Sequence, residues 1–501
     1  MDTSLTGGPQ ARFLRGLERS GGGVAVDVGD QALTYERLHE LALLWGGALA
    51  EAGARTVGVL AGKGVTAYAG ILAGLYAGAT IVPLRPDFPA ARTAQMVEAA
   101  GIDVIVADER GLIVAPDGVP VLAPECGDRP RASQALSAPV STPASDTAYV
   151  LFTSGSTGRP KGVRIGRAAL DHYFGLLDSR YDFTPDDVFS QTFDLNFDCA
   201  MFDLFCAWGA GAPAVVLPGG AYRNLPRFAA ERGLTVWFST PSAIDLVRRT
   251  GGLTPGALPG LRWSFFAGEA LTVRDTADWR AAASSSIVEN LYGPTELTVT
   301  VSGYRWDDVE TPRVAVNGVV PIGEVHAGHD HVLLGPGDVP DPDEGELCIA
   351  GPQMTPGYLD PADERGRFLD RDGKRFYRTG DRCRRLDDGL AYLGRLDSQV
   401  QVLGWRIELT EVEHALRDCG IQDAVVLGVA GEAGTELFVF YTGGERPVLE
   451  MVRALRAVLP EGVIPRHYRH VEEFPLNSNR KIDRKTLAAR AADLLAPTPV
   501  A

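Results

Sequence analysis

An α/β fold is predicted, with a large amino-terminal domain of α/β subdomains, a β-rich subdomain, and a small α+β carboxy-terminal domain. Three observations predict it. Short apolar β-runs alternate with helical stretches through the first 315 residues, the pattern of largely parallel sheets. The texture then changes to short strands separated by Gly, Pro and Asp turns, to about residue 395. From Asp397 a compact series of strands and helices follows. The expected boundaries are therefore 1–396 and 397–501.

The elements follow in order. Residues 10–53 read as helix, short strand, turn, and a long Ala/Leu/Glu helix from about Tyr35. Val57-Gly58-Val59-Leu60 is a short apolar strand, followed by a helix over 66–77 and a strand at Thr80-Ile81-Val82-Pro83-Leu84. Further β-runs fall at 103–106, 147–152, 213–217, 235–238, 263–266 and 286–288. Residues 115–145 are rich in Pro, Ser and Ala and read as an irregular surface crossing. The last part reads as strand 399–403, helix 410–418, strands 423–429 and 436–442, and helix 447–458. The final ten residues read as a frayed tail.

Composition excludes several classes. The chain has 501 residues, 45% hydrophobic and 22% charged, with a net charge of −16. A nucleic-acid binder would show a basic stripe instead. No run of eighteen apolar residues appears, so no membrane span is expected. Met1-Asp2-Thr3-Ser4 lacks a signal-peptide pattern, and the six cysteines have no CxxC spacing, so a cytoplasmic protein with reduced thiols is expected. His326, His329 and His331 sit among Gly and Pro without a completing ligand set, and read as a surface loop.

The strand Ala148-Tyr149-Val150-Leu151-Phe152 runs into Thr153-Ser154-Gly155-Ser156-Thr157-Gly158-Arg159-Pro160-Lys161-Gly162. Glycines let backbone N–H groups converge on an anion, hydroxyls add donors, and Lys161 supplies a point charge. The spacing is not that of a Walker loop. A flexible linker would need neither the tight apolar strands nor Pro160. This loop resembles the signature loop of the adenylate-forming superfamily: acyl-CoA synthetases, luciferases and nonribosomal peptide synthetase adenylation domains. The resemblance covers nearly the whole chain. Leu33-Thr34-Tyr35, Leu84-Arg85-Pro86-Asp87-Phe88-Pro89 and the motifs below fall in the family's order.

The resemblance assigns roles. Thr153, Ser154, Gly155, Ser156, Thr157, Gly158 and Lys161 would contact the phosphates of ATP. Asn290-Leu291-Tyr292-Gly293-Pro294-Thr295-Glu296 would stack the adenine on Tyr292, bind the α-phosphate through Thr295 and hold Mg²⁺ through Glu296. A cation offsets the repulsion between an attacking carboxylate and a triphosphate. Gly268-Glu269-Ala270 would line the adenine pocket. Asp381, in Tyr377-Arg378-Thr379-Gly380-Asp381, would accept the ribose hydroxyls, with Arg395 as a second contact. Asp397 matches the hinge of a small mobile domain. Gly404-Trp405-Arg406-Ile407-Glu408 matches the loop facing the thiol acceptor. Gln401 stands where the family has lysine. Lys481 matches the catalytic lysine that bridges the substrate carboxylate and the α-phosphate, where developing charge needs a placed cation. Arg480 replaces the family's glycine.

Spacing to Asp203-Leu204-Phe205 makes Phe197-Asp198, not Phe193-Asp194, the match to the amino-acid motif. Asp198 would then pair with a substrate ammonium, which needs a counter-charge in an apolar pocket; capping of a helix N-terminus is the alternative. The other pocket positions are Cys199, Phe202, Ser242, Phe265, Ala267, Leu291, Val299 and Thr300. None is charged, so a neutral, largely apolar side chain is expected. The doubled Phe-Asp pattern is similar to that of β-amino-acid-activating enzymes of macrolactam polyketide pathways. No Gly-Gly-(Asp/His)-Ser phosphopantetheine site is present, so the expected acceptor is the arm of a separate carrier protein. The alternatives are a carboxylate–CoA ligase of the same superfamily and a catalytically silent nucleotide-binding subunit.

Overall fold

The computed structural model describes residues 8–155, 158–397, 399–431, 434–475 and 482–495. Ser156, Thr157, Arg480 and Lys481 lie outside the described residues. The chain divides into two compact units. The larger holds residues up to Pro86, Met96–Phe152 and Gly162–Leu396. The smaller holds Asp87–Gln95, Thr153–Lys161 and the chain from Asp397 onward.

Three sheets build the larger unit. A six-stranded sheet is parallel across Thr56–Leu60, Thr80–Leu84, Val104–Ala107 and Val121–Leu122, and carries Thr147–Thr153 and Lys161–Gly166 at one side. In the nine-stranded sheet, Phe189–Gln191, Ala214–Val216, Val236–Ser239, Trp263–Phe266 and Ile287–Tyr292 run parallel. Ser302–Arg305 returns antiparallel. Between Thr311 and Arg395 lies an antiparallel five-stranded sheet, as the turn-rich texture predicts.

The continuous apolar runs are explained by burial on both faces, typical of parallel sheets. Val236 and Phe238 enter one core while Trp237 enters a second on the opposite face. The first core also takes Val57, Ile81, Tyr149 and Leu151, so one apolar layer joins both sheets. Helix Tyr35–Glu51 begins at Thr34, whose side chain accepts from the Arg37 amide, a standard N-cap. It buries Leu38, Leu41, Ala42, Trp45 and Leu49, the spacing of one helical face. Helix Cys199–Ala210 is buried all round.

The smaller unit contains a hairpin, Gln399–Val402 with Trp405–Glu408. Its two turn residues, Leu403 and Gly404, have φ of 49° and 83°, as a type I′ turn requires. A three-stranded sheet and the helices Leu409–Asp418, Val448–Arg456 and Arg484–Leu495 complete it. The single strand expected at 399–403 is half of this hairpin, and strand His467–His470 and the last helix were not anticipated. No helix among the described residues is long and apolar enough to cross a membrane. The histidine reading needs correction: His326 is only 8% exposed. It packs near His172 and His329, and burial pushes its pKa down to about 4.

Candidate active site

The nucleotide motifs of the larger unit converge at the ends of parallel strands, where open α/β sheets place their ligands. Strand Ile287–Tyr292 delivers Tyr292, whose hydroxyl donates to Asp381 Oδ2 at 2.6 Å. Arg395 donates to Asp381 Oδ1 at 2.8 Å and to the Thr379 carbonyl at 3.1 Å. Antiparallel pairing places Asp381 opposite Arg395. Asp381 is thus oriented through both oxygens, and an ionised carboxylate is the natural acceptor for sugar hydroxyls. Burial, with the Asp381 charge added, keeps the Tyr292 phenol protonated.

Asn290 spends its amide donors on the Val320 and Pro321 carbonyls, at 3.2 and 2.9 Å. It braces the strand, leaving Oδ1 for any ligand. Gly268 has φ +86°, and Glu269 Oε2 accepts from the Ser242 amide at 2.9 Å. The strand end at Phe265–Ala267 is therefore tied to the start of helix Ser242–Arg249.

Thr295 and Glu296 follow Gly293-Pro294 in a short 3₁₀ turn. Glu296 is 2% exposed, and its Oε1 accepts from the Tyr358 hydroxyl at 2.7 Å. Tyr358 is a residue the motif reading missed; Gly357-Tyr358 after the Glu344–Ala350 strand was its signal. Glu296 fits Mg²⁺, which typically takes one or two protein carboxylates and completes its shell with phosphate and water. No cluster of three or more metal-ligating side chains occurs among the described residues.

The two Phe-Asp pairs separate clearly. Asp194 is ion-paired with Arg85. Asp198 begins the buried helix Cys199–Ala210 without a side-chain cap hydrogen bond. It is 9% exposed, and its Oδ2 has no partner. Burial pushes its pKa up to about 6, opposed by the Thr295 hydroxyl and the Cys199 amide, while the Glu296 charge adds to the rise. An orphaned carboxylate oxygen at such a site fits a cationic ligand.

Beside Asp198 the remaining pocket positions Cys199, Phe202, Phe265, Ala267, Leu291, Val299 and Thr300 are all buried, and Ser242 is half-buried. Phe202 packs edge-on against Phe265 and Phe238, with ring centroids 5.2 and 4.8 Å apart. Thr300 shares a 3.0 Å hydroxyl bond with Tyr173. Sequence reasoning missed Tyr149, whose buried hydroxyl has no partner and whose pKa is raised by burial and by the nearby Asp198. Its apolar strand context gave no signal. Lys63 was also missed; it donates to the carbonyls of Gln191, Thr192 and Phe193 ahead of Asp198.

Within the smaller unit, the Ser/Thr/Gly loop closes on itself. The Gly158 amide donates to the Gly155 carbonyl at 3.1 Å, and a Cβ at Gly155 would fall 2.0 Å from the Arg159 oxygen. Ser154 Oγ donates to the Arg406 carbonyl at 2.7 Å and accepts from the Glu408 amide at 3.1 Å. Lys161 is 7% exposed.

This constellation is that of a nucleotide-binding enzyme. The AMP-binding enzyme family matches residues 13–359, and the chain belongs to that family, the adenylate-forming superfamily. ATP and Mg²⁺ are its cofactors. The chain is 34% identical over 413 residues to an L-proline--[L-prolyl-carrier protein] ligase of Streptomyces coelicolor, covering 78% of this chain and 75% of that one. The crystal structure of IdnL7 is 57% identical, with a TM-score of 0.75, covering 97% of this chain and 99% of that one. The Vibrio cholerae adenylation domain AlmE, solved with glycyl-adenosine-5'-phosphate, is 25% identical, with a TM-score of 0.85 and coverage of 97% and 98%. Against three longer curated relatives, the chain spans 9%, 19% and 43% of their length.

Proposed function

We propose that this chain activates the carboxylate of an amino acid with ATP, releases pyrophosphate, and passes the aminoacyl group to the phosphopantetheine thiol of a separate carrier protein. The observation that carries the amino-acid reading is the orphaned Oδ2 of Asp198, buried beside an apolar pocket. A substrate ammonium would supply its missing partner. A fatty or aryl acid would leave a buried carboxylate unpaired, at a cost of about 1–3 kcal/mol or more. This favours amino-acid activation over carboxylate–CoA ligation. The carrier-protein ligase and the glycyl-adenylate complex among the relatives point the same way.

The residues divide the work. Asp381, oriented by Tyr292 and Arg395, accepts the ribose hydroxyls. The Thr295 hydroxyl is assigned the α-phosphate contact by its motif. Glu296, held by Tyr358, would bind Mg²⁺, which offsets the charge of the leaving pyrophosphate. Lys481 is assigned the α-phosphate contact by its motif. The mixed anhydride is already activated, so thiol attack needs positioning more than acid–base help. Asp397 is the proposed hinge, and 1–396 and 397–501 the proposed domains.

The acid has a neutral side chain, because the positions around Asp198 are apolar or hydroxylic. The doubled Phe-Asp pattern extends the reading to β-amino acids of macrolactam pathways. Pyrophosphate exchange with glycine, L-alanine, L-leucine, L-phenylalanine and β-alanine tests this. Exchange stimulated by one of these acids supports amino-acid activation. No stimulation by any amino acid, or thioester formation with free coenzyme A in preference to a carrier, would sink it.

A further inference from the structure

The turn joining Ile287–Tyr292 to Ser302–Arg305 carries two adjacent left-handed residues, Thr298 at φ 59° and Val299 at φ 67°. Both are β-branched and fully buried or nearly so. Left-handed backbone is disfavoured for such residues, and persists only where its surroundings over-determine it. Here the surroundings have one centre. Gln353 is fully buried, and its Nε2 donates to the carbonyls of Leu297, Thr298 and Thr300, at 3.1, 3.2 and 2.8 Å. The Thr298 hydroxyl returns a 2.6 Å bond to the Gln353 carbonyl. His329 Nε2 faces the Gln353 amide at 3.4 Å. The far side of the turn presses on Gly293, where a Cβ would lie 2.6 Å from both Thr300 Cα and the Val299 oxygen.

We infer that Gln353 is a specificity-positioning residue: it clamps the strained turn so that Val299 and Thr300 form a fixed wall of the acid pocket. The carboxamide suits this task. Its two N–H groups reach three carbonyls in a fully buried place, where glutamate would set a carboxylate against carbonyl oxygens. Gln353 acts through a turn that Tyr173 holds from another side, by its bond to Thr300. The inference rests on the amino-acid reading and adds to it the residue that sets one wall of the pocket.

The test is pyrophosphate exchange by the full chain, with the best acid of the panel above and with ATP varied separately. Gln353→Glu should raise KM for the acid about tenfold, while KM for ATP stays within about twofold, as expected when lost hydrogen bonds loosen only the acid wall. It should also flatten the preference among panel acids. A merely structural loss would change both KM values together or lower active-enzyme concentration alone; either result, or unchanged kinetics, overturns the inference. Should the glutamate variant fail to fold, Gln353→Ala is compared with Gln353→Ala/Thr298→Gly. Glycine takes the left-handed conformation without strain, so the double variant should recover acid KM; no recovery overturns the inference. If the unaltered chain shows no acid-dependent exchange, the functional reading fails and this inference with it. If the unaltered chain is active and the Gln353 variants match it, only this inference fails.

Discussion

Asp198 and Asp194 are separated by four positions in the chain and by a whole role in the site. Asp194 is neutralised by Arg85, whereas Asp198 waits with an unpartnered oxygen. Asp198→Asn keeps the shape and removes the charge. It should raise KM for the amino acid by tenfold or more, with KM for ATP little changed, since a hydrogen bond to a charged group is worth about 1.5–3 kcal/mol. Its pH dependence has a definite sign. With the pKa pushed up to about 6, the anion that binds ammonium is present above that pH and is lost as pH falls through it. The kcat/KM for the amino acid should therefore drop below about pH 6, on the limb that reports the free enzyme. Asp198→Asn should lose that limb; if the variant keeps it, another group titrates there. Phe202 is proposed to act on size rather than charge. It stands against Phe265 and Phe238, so Phe202→Ala should shift exchange activity toward larger acids, measured as the ratio of L-leucine to glycine kcat/KM.

The β-turn after Tyr292 and the buried helix Cys199–Ala210 are the elements on which the pocket depends. The helix ends at Gly211, and the Tyr35 hydroxyl, on another helix, donates to the Ala212 carbonyl at 2.7 Å just beyond that end. Tyr35→Phe leaves that buried carbonyl without its side-chain donor. It should cost about 1–2 kcal/mol by the usual worth of such a bond, read as a lower denaturation midpoint with substrate KM unchanged. These elements differ in how far sequence revealed them. Helix Tyr35–Glu51 was legible because its cap and its apolar spacing are local. The glycine-rich loop and the Asn290–Glu296 motif were legible because their residue types and order are distinctive. Gln353 was not, because the carbonyls its side chain reaches lie more than fifty positions away and a lone glutamine after Gly-Pro carries no pattern. His326 misled for a related reason: Gly and Pro neighbours suggest a surface loop, but the segment folds back beneath residues 301 and 353. Strand His467–His470 escaped notice because its side chains do not alternate in hydropathy, and its pairing with Phe438–Tyr441 is set by distant chain.

At the scale of the molecule, the two half-reactions of the proposed function, adenylation and thiol transfer, make opposite demands on one nucleotide site. Adenylation needs a cation against the charge gathering at the α-phosphate. Transfer needs room for a thiol at the same acyl carbon, after that charge has left with pyrophosphate. The two compact units divide the residues accordingly: Asp198, Thr295, Glu296 and Asp381 belong to the larger, whereas the hairpin with Trp405–Glu408 and the motif of Lys481 belong to the smaller. In the proposed reaction a lysine needed for adenylation is dispensable for transfer. Lys481→Ala should lower amino-acid-dependent pyrophosphate exchange by about a hundredfold or more, the scale seen when one charge-stabilising donor is removed from a transition state. Transfer from chemically prepared aminoacyl-adenylate to a carrier should fall far less, within about tenfold, because thiol attack at the acyl carbon builds no pentavalent charge at the α-phosphate for the lysine to offset. Both reactions are measured on the same preparation, by exchange of labelled pyrophosphate and by mass of the loaded carrier. Equal losses in the two would mean that Lys481 serves the fold or the carrier rather than the adenylating step.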